Sequence, residues 1–183
     1  MKIVLQLFFG ALMIIVLFGC GNGSDVLDDI ADVDENDPEE IFVTAKVNGV
    51  EFSAQGETFV NTSSANNSGF FSLAIGAVDV EQGRAKAIAL AIVAIDREEV
   101  QVDDTFTETD DNGFGATAAY EEGVISEEAE IEADKTQAIA VKITAVDQEN
   151  QTISGEFSFT AIDEDTNTTI TVTDGVFNKV PLD

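Results

Sequence analysis

The stretch QTISGEFSFTAI, residues 151–162, alternates apolar and polar side chains. Ile153, Gly155, Phe157 and Phe159 fall on one side, and Thr152, Ser154, Glu156 and Ser158 on the other. Successive side chains of a strand point to opposite faces, so this period of two reads as a β-strand with one apolar and one wet face. Phe157 is therefore expected in a core and Glu156 in water.

The flanking segments repeat the pattern. In TTITVTDGVFNKV, residues 168–180, Ile170 and Val172 point inward, and Gly175 marks a bulge or bend, as glycine does inside strands. On the other side, Ala129, Ile131 and Ala133 alternate with Glu128, Glu130 and Glu132. A turn is expected at Asp134-Lys135, after which Ile139, Val141 and Ile143 face inward while Lys142 and Thr144 face out. These strands read as a meander joined by short polar turns.

Period two begins at Ile41. VTAKVNGVEFSA, residues 43–54, sets Asn48-Gly49 between Val47 and Val50. Both residues accept positive φ, which makes the pair a strong short-range hairpin signal. GFFSLAIGAV, residues 69–78, places Phe71, Leu73 and Ile75 on one face. RAKAIALAIVAID, residues 84–96, is apolar on both faces and reads as a central strand covered on both sides, with its alanines keeping a helix open as the alternative. Ala87, Ala89, Ala91 and Ala94 would let a second layer approach closely, or leave room for a ligand. Ala87 to Asp96 aligns without gaps to Ala138 to Asp147, and the same offset pairs Val102 with Ile153 and Phe106 with Phe157. Either an old hairpin duplication or the common grammar of half-buried strands explains the echo. The fold class is all-β: an antiparallel sandwich, or a closed or partly open meander barrel, of roughly nine or ten strands over residues 41–183. With no Trp, thirteen Phe are the main large aromatic fillers.

The charge balance is extreme, with 36 acids against 8 bases and a net charge of −28. Nucleic acid is a poor partner, because affinity for phosphate needs clustered Lys and Arg. The chain has no histidine, which removes Ser-His-Asp and Cys-His catalysis and imidazole-built zinc sites. Carboxylates remain for calcium or for a glycosidase-like pair. In ETDDNGFG, Glu108, Asp110, Asn112 and Gly113 match the start of an EF-hand loop, but its twelfth position is Ala119, where a bidentate Glu is needed. In DEDTNT, Asp163, Asp165 and Asn167 have the right alternation, yet Thr168 stands where Gly is required, and Asp174, at position twelve, lies beyond an expected strand. Both read as Asx-rich turns. With Tyr120 as the single tyrosine, stacking platforms for glycans are scarce. No enzyme activity, cofactor or metal is expected.

The N-terminus belongs to a different chemistry. Lys2 precedes an apolar run, Ile3 to Phe18, broken only by Gln6, and the run ends in LFGC, residues 17–20, which hold the only cysteine. Leu17, a tolerated Phe18, small Gly19 and Cys20 resemble the lipobox of bacterial lipoproteins. The resemblance implies a signal peptide over residues 1–19, cleavage between Gly19 and Cys20, and diacylglycerol on the Cys20 thiol. It also implies a fatty acyl chain of the palmitate kind on the new amino group. Two or more chains anchor stably, so lipid on Cys20 would be the membrane contact. Gly21 to Glu40 hold nine acids and no base, so residues 20–40 read as an acidic, mostly disordered tether. A short helix capped by Ser24, with Val26, Leu27, Ile30 and Val33 on one side, is the alternative.

FVTAKVNGVEFSA, ITAVDQENQTISGEFSFTA and VTDGVFNKVPL together resemble small lipoproteins of Bacteroidota, flavobacteria above all, that carry a domain of unknown function. The resemblance spans Phe42 to Leu182 and is most specific at ISGEFSFTA. It implies an all-β domain on an outer-membrane anchor and no established activity. The first acid after Cys20 is Asp25, which leaves both the periplasmic side and the cell surface open. The expected function is a non-enzymatic interaction or structural module of the cell envelope. The alternatives are a carrier of small apolar ligands with a lipocalin-like pocket, and a calcium- or glycan-binding surface protein.

Overall fold

A computed structural model describes residues 41–182 apart from 68, 96–98, 109–114, 126 and 128. The signal-peptide and tether readings, Gly19 and Cys20 among them, lie outside the described residues. Eleven strands follow one another: β1 (Phe42–Val47), β2 (Val50–Gln55), β3 (Val60–Asn67), β4 (Phe70–Glu81), β5 (Arg84–Ile95), β6 (Thr105–Thr107), β7 (Gly115–Val124), β8 (Ile131–Ala133), β9 (Lys135–Asp147), β10 (Thr152–Asp163) and β11 (Thr168–Pro181). Two sheets form, a six-stranded one ordered β2-β1-β11-β10-β9-β6 and a five-stranded one ordered β3-β4-β5-β7-β8. All pairings between named strands are antiparallel.

The sheets pack face to face as a sandwich, which resolves the choice between sandwich and barrel. Their inner faces share one cluster that includes Val43, Phe52, Leu73, Ile75, Ile88, Leu90, Ile143, Ile153, Phe157, Ile170 and Phe177. Each such side chain contributes about 1.5–3 kcal/mol when fully buried. The strand count exceeds the expected nine or ten because β6 has three residues, too short for a periodic signal.

Asn48 and Gly49 close the β1–β2 hairpin with φ of 49° and 83°. Two positive φ values are the signature of a type I′ turn. The Asn48 side chain also docks this turn: Thr171 N–H donates to Asn48 Oδ1 at 2.9 Å, and Asn48 N–H donates to the Thr171 carbonyl at 2.8 Å. Gln82-Gly83 makes the same kind of turn between β4 and β5, with φ of 51° and 81°. Gln lacks the local turn propensity of Asn or Asp, so this hairpin carried no sequence signal.

The strand Gln151 to Ile162 has the expected register. Ile153, Gly155, Phe157 and Phe159 are buried and Glu156 is exposed. Gly175 stands beside a bulge: between the Phe157↔Gly175 and Phe159↔Val172 pairs, β11 carries one residue more than β10, and Asp174 adopts φ 52°.

Two expectations are corrected. First, Asp134-Lys135 is no hairpin turn. There the chain crosses from β8 in the five-stranded sheet to β9 in the six-stranded one, and Ala129 is exposed rather than part of an alternating strand. Second, β5 is not covered on both faces. Ile88, Leu90, Ile92 and Ala94 point into the core, whereas Ala87, Ala89 and Ala91 lie half-buried on the outer face. That face is lined by other small side chains in register, Gly76 and Ala74 on β4 and Ala119 and Thr117 on β7, so neighbouring strands shield the alanines without a second layer. The internal echo, for its part, fits the common grammar of half-buried strands, not a repeated hairpin. The segment at 138–147 pairs with the strand that follows it, while β5 pairs with β4 and β7, and Val102 is 52 % exposed where Ile153 is 1 % exposed.

The outer edge of β7 is sealed by three different devices. Glu108 forms an isolated parallel bridge with Ala116. The Thr136 hydroxyl oxygen accepts from Ala118 N–H at 3.0 Å and donates to the Ala118 carbonyl at 2.8 Å. β8 then covers Tyr120 to Glu122.

Candidate functional site

Polar side chains gather at one end of the sandwich, where the inner face of the five-stranded sheet runs past the apolar core. Cross-strand register brings Asp79 opposite Lys86 and Lys86 opposite Glu122. Arg84, the first residue of β5, grips Glu130 through two contacts, Nη1–Oε1 at 3.2 Å and Nη2–Oε2 at 2.7 Å, and reaches Glu122 Oε1 at 3.3 Å. Such a two-pronged guanidinium–carboxylate contact fixes geometry as well as charge. Tyr120 is 1 % exposed, and its hydroxyl donates to Glu122 Oε2 at 2.8 Å.

Burial, together with this hydrogen bond to a carboxylate, pushes the Tyr120 hydroxyl well above its ordinary range. The Arg84 guanidinium holds Glu130 below the usual carboxylate range. Burial raises Asp79, offset in part by the Ser53 N–H that donates to its Oδ2 at 3.5 Å. Arg84, Tyr120, Glu122 and Glu130 are bonded to one another. Glu122 accepts from two donors, and Tyr120 keeps its proton. The arrangement works as a clasp holding β5, β7 and the segment before β8 together, not as a poised acid–base pair.

The second candidate is an open depression of about 620 Å³ on the outer face of the six-stranded sheet, lined by Lys142, Glu156, Ser158, Thr173, Asp174 and Val176 among others. It exists because the β11 bulge carries Asp174 outward. Lys46 Nζ meets Asp174 Oδ2 at 2.9 Å, and Lys142 Nζ meets Asp103 Oδ1 at 2.8 Å. Both ammonium groups are held charged by these carboxylates. The surface can offer hydrogen bonds and alternating charge to a polar partner, and the aromatic residue along it, Phe157, is buried in the core and not displayed for stacking on a sugar.

The two calcium-like loops have other roles in their described parts. Asp163 is 4 % exposed at the end of β10; its Oδ1 accepts from the N–H groups of Asp165 (2.9 Å) and Thr166 (3.0 Å), and its Oδ2 accepts from Glu132 N–H (3.3 Å). These donors, Thr166 first, hold the carboxyl below its ordinary value. It is an Asx cap of the β10–β11 turn, as the Asx-rich reading expected. Asp174 lies eleven residues further on, in the bulge, paired with Lys46. In the other loop, residues 110–113 lie outside the described residues, and Ala119 is buried in β7. Among the described residues no three Asp, Glu, His or Cys group in a way that could hold a metal ion.

The clasp and the depression were invisible in the sequence. Arg84 lies 38 residues from Glu122 and 46 from Glu130, separations set by strand register rather than by a motif. The single pointer to the depression was Gly175 as a bulge marker.

No curated protein and no solved structure matches the chain. A family described as a domain of unknown function, DUF6252, matches residues 84–181, from the first residue of β5 to the last of β11. That span holds Arg84, Tyr120, Glu122 and Glu130 of the clasp, the Asp163 cap, the β11 bulge and all but the first four strands. As the match covers more than half of the 183 residues, the chain belongs to the DUF6252 family, whose function is unknown.

Proposed function

We propose that the chain is a cell-envelope lipoprotein, held at the outer membrane by lipid on Cys20, whose β-sandwich is a non-enzymatic interaction or structural module. The observation that carries the module is the filled space between the sheets. Phe52, Leu73, Ile75, Ile88, Leu90, Tyr120, Ile143, Ile153 and Phe177 are each at most 2 % exposed, in an interior of large interdigitated side chains. A carrier of lipocalin type needs a barrel with room in its lumen; here the corresponding volume is occupied by the protein's own residues. Arg84 is paired with Glu122 and Glu130 in the clasp, and Lys46 with Asp174 and Lys142 with Asp103 at the depression, which suits a surface that docks against a polar partner better than one that turns over a substrate. LFGC and the acidic segment that follows support the anchor. With an acidic domain of this charge, anionic membrane surfaces repel the sandwich and leave the lipid as the contact.

The test couples anchoring to ligand binding. Cells fed an alkyne-tagged fatty acid should label the wild-type protein and not Cys20→Ser, and the variant should leave the membrane fraction. Wild-type membrane association and signal removal retained in Cys20→Ser would overturn the anchor. For the module, thermal melts against calcium, fatty acids and glycans should show no saturable rise in Tm. A rise following mass action with an apolar ligand would move the reading to a carrier.

A further inference from the structure

The strand β8 covers the outer edge of β7 with only three residues, and the central one places like charges face to face. Glu132 stands directly opposite Glu121 in the antiparallel register, with Ala133 opposite Tyr120 and Ile131 opposite Glu122. Directly opposed residues of an antiparallel pair have Cβ atoms about 4.5–5.5 Å apart, close enough for two carboxylates to repel, and like charges so placed are destabilising. Glu121 is half-buried on the outer face, where the β5 residue opposite it is Ala87, which is uncharged. The other charged group facing it is Asp134, on the link after β8. Lys135, the next residue and the nearest base along the chain, is taken by Glu164. Among the described residues no cation answers this pair, whereas the segment just before β8 is tied down by the Arg84–Glu130 contacts and by Glu130 N–H donating to the Glu122 carbonyl at 2.8 Å, and on its far side Glu132 N–H donates to the Asp163 carboxylate of β10 at 3.3 Å.

We infer that β8 is a pH-sensitive strap. With one carboxyl of the Glu121–Glu132 pair protonated it closes over Tyr120 to Glu122 of β7, and with both ionised it releases that edge while staying tethered at Glu130 and, through Glu132 N–H, at Asp163 of β10. The burial of Glu121 supports this, because its carboxyl takes up a proton near neutrality instead of in the ordinary acid range. Release would expose backbone N–H and C=O groups of β7, the kind of edge that accepts another strand. The strap depends only on the sandwich and not on the lipid anchor.

Hydrogen exchange of the full chain in detergent micelles, read on peptides covering residues 129–134 and corrected for the intrinsic rate at each pH, tests it. Protection is expected to fall about tenfold between roughly pH 5.5 and roughly pH 8.5. Peptides from β10 should hold their protection over that range. Glu121→Gln, and independently Glu132→Gln, should keep the strap protected at the higher pH. Three results would overturn the strap: protection independent of pH in the wild type, a parallel loss in β10, or a full pH response surviving in both variants.

Discussion

Phe157 and Gly175 face each other across the β10–β11 ladder, and the Phe157 ring fills the space that a side chain at 175 would need. A Cβ at Gly175 would lie 2.6 Å from Phe157 Cε2 and 2.6 Å from the Phe157 carbonyl oxygen. Two residues along, the arrangement is exchanged: Gly155 faces Phe177, and a Cβ there would lie 2.8 Å from Phe177 Cε1 and 2.6 Å from the Lys142 carbonyl oxygen. The two rings stack with centroids 6.5 Å apart and an interplanar angle of 26°. Each glycine is a seat for a phenylalanine, and the pattern GEF–DGVF in the sequence is the trace of that exchange.

Gly175→Ala should destabilise the domain by about 1–3 kcal/mol, the usual cost of overpacking. In the Phe157→Ala background the ring clash is gone but the contact with the carbonyl oxygen of residue 157 stays, so the same change should cost less without becoming neutral. A double-mutant cycle by urea denaturation reads the coupling, expected at about 0.5–3 kcal/mol. Additive losses would mean that the ring does not occupy the site the glycine leaves open.

Phe157→Ala alone should cost about 3–5 kcal/mol, as expected for a buried phenylalanine. Glu156→Ala, one residue away on the wet face, should stay within about 0.5 kcal/mol. Comparable midpoints of denaturation for the two variants would place the strand one residue out of register.

Asn48→Ala removes the acceptor for Thr171 N–H and sets a residue with no special tolerance at φ 49°. A loss of about 1–2 kcal/mol is expected from those two effects. Asn48→Gly, which relieves the backbone but not the hydrogen bond, should recover part of it. Equal stability of the two variants would show that the left-handed conformation carries no cost.

Glu121 binds its proton more tightly in the folded chain, at about 7 against an ordinary 4.5, because of burial first and of Glu132 and Asp134 next. Folding therefore takes up a proton, so this group's favourable contribution is complete below about pH 4.5 and is lost as the pH rises through about 7. Solvent reaches the half-buried carboxyl, so the expected scale is about 1 kcal/mol rather than the full shift. Glu121→Gln should raise Tm by about 2–4 °C at pH 8 and change it little at pH 5. A larger gain at pH 5 than at pH 8 would reverse the sign and refute the assignment.

Strand identity, the faces of residues 151–162 and 138–147, the Asn48-Gly49 turn and the Asx cap at Asp163 were legible in the amino-acid order, because each depends on neighbours one to five residues away. Period two, positive φ and a carboxylate next to its own turn are local physics. The sequence could not decide between sandwich and barrel, the crossing at Asp134, the bare outer face of Ala87, Ala89 and Ala91, or the meeting of Arg84 with Glu130. Alternation says that a strand has two faces without saying which partner strand lies beside it or whether a layer covers the second face. Those answers come from register between segments tens of residues apart, where one extra residue in β11 lifts Asp174 out of the sheet and shapes the depression beside it. The opposed pair Glu121–Glu132 is of the same kind: two ordinary acids in the sequence, made neighbours by pairing β7 with β8.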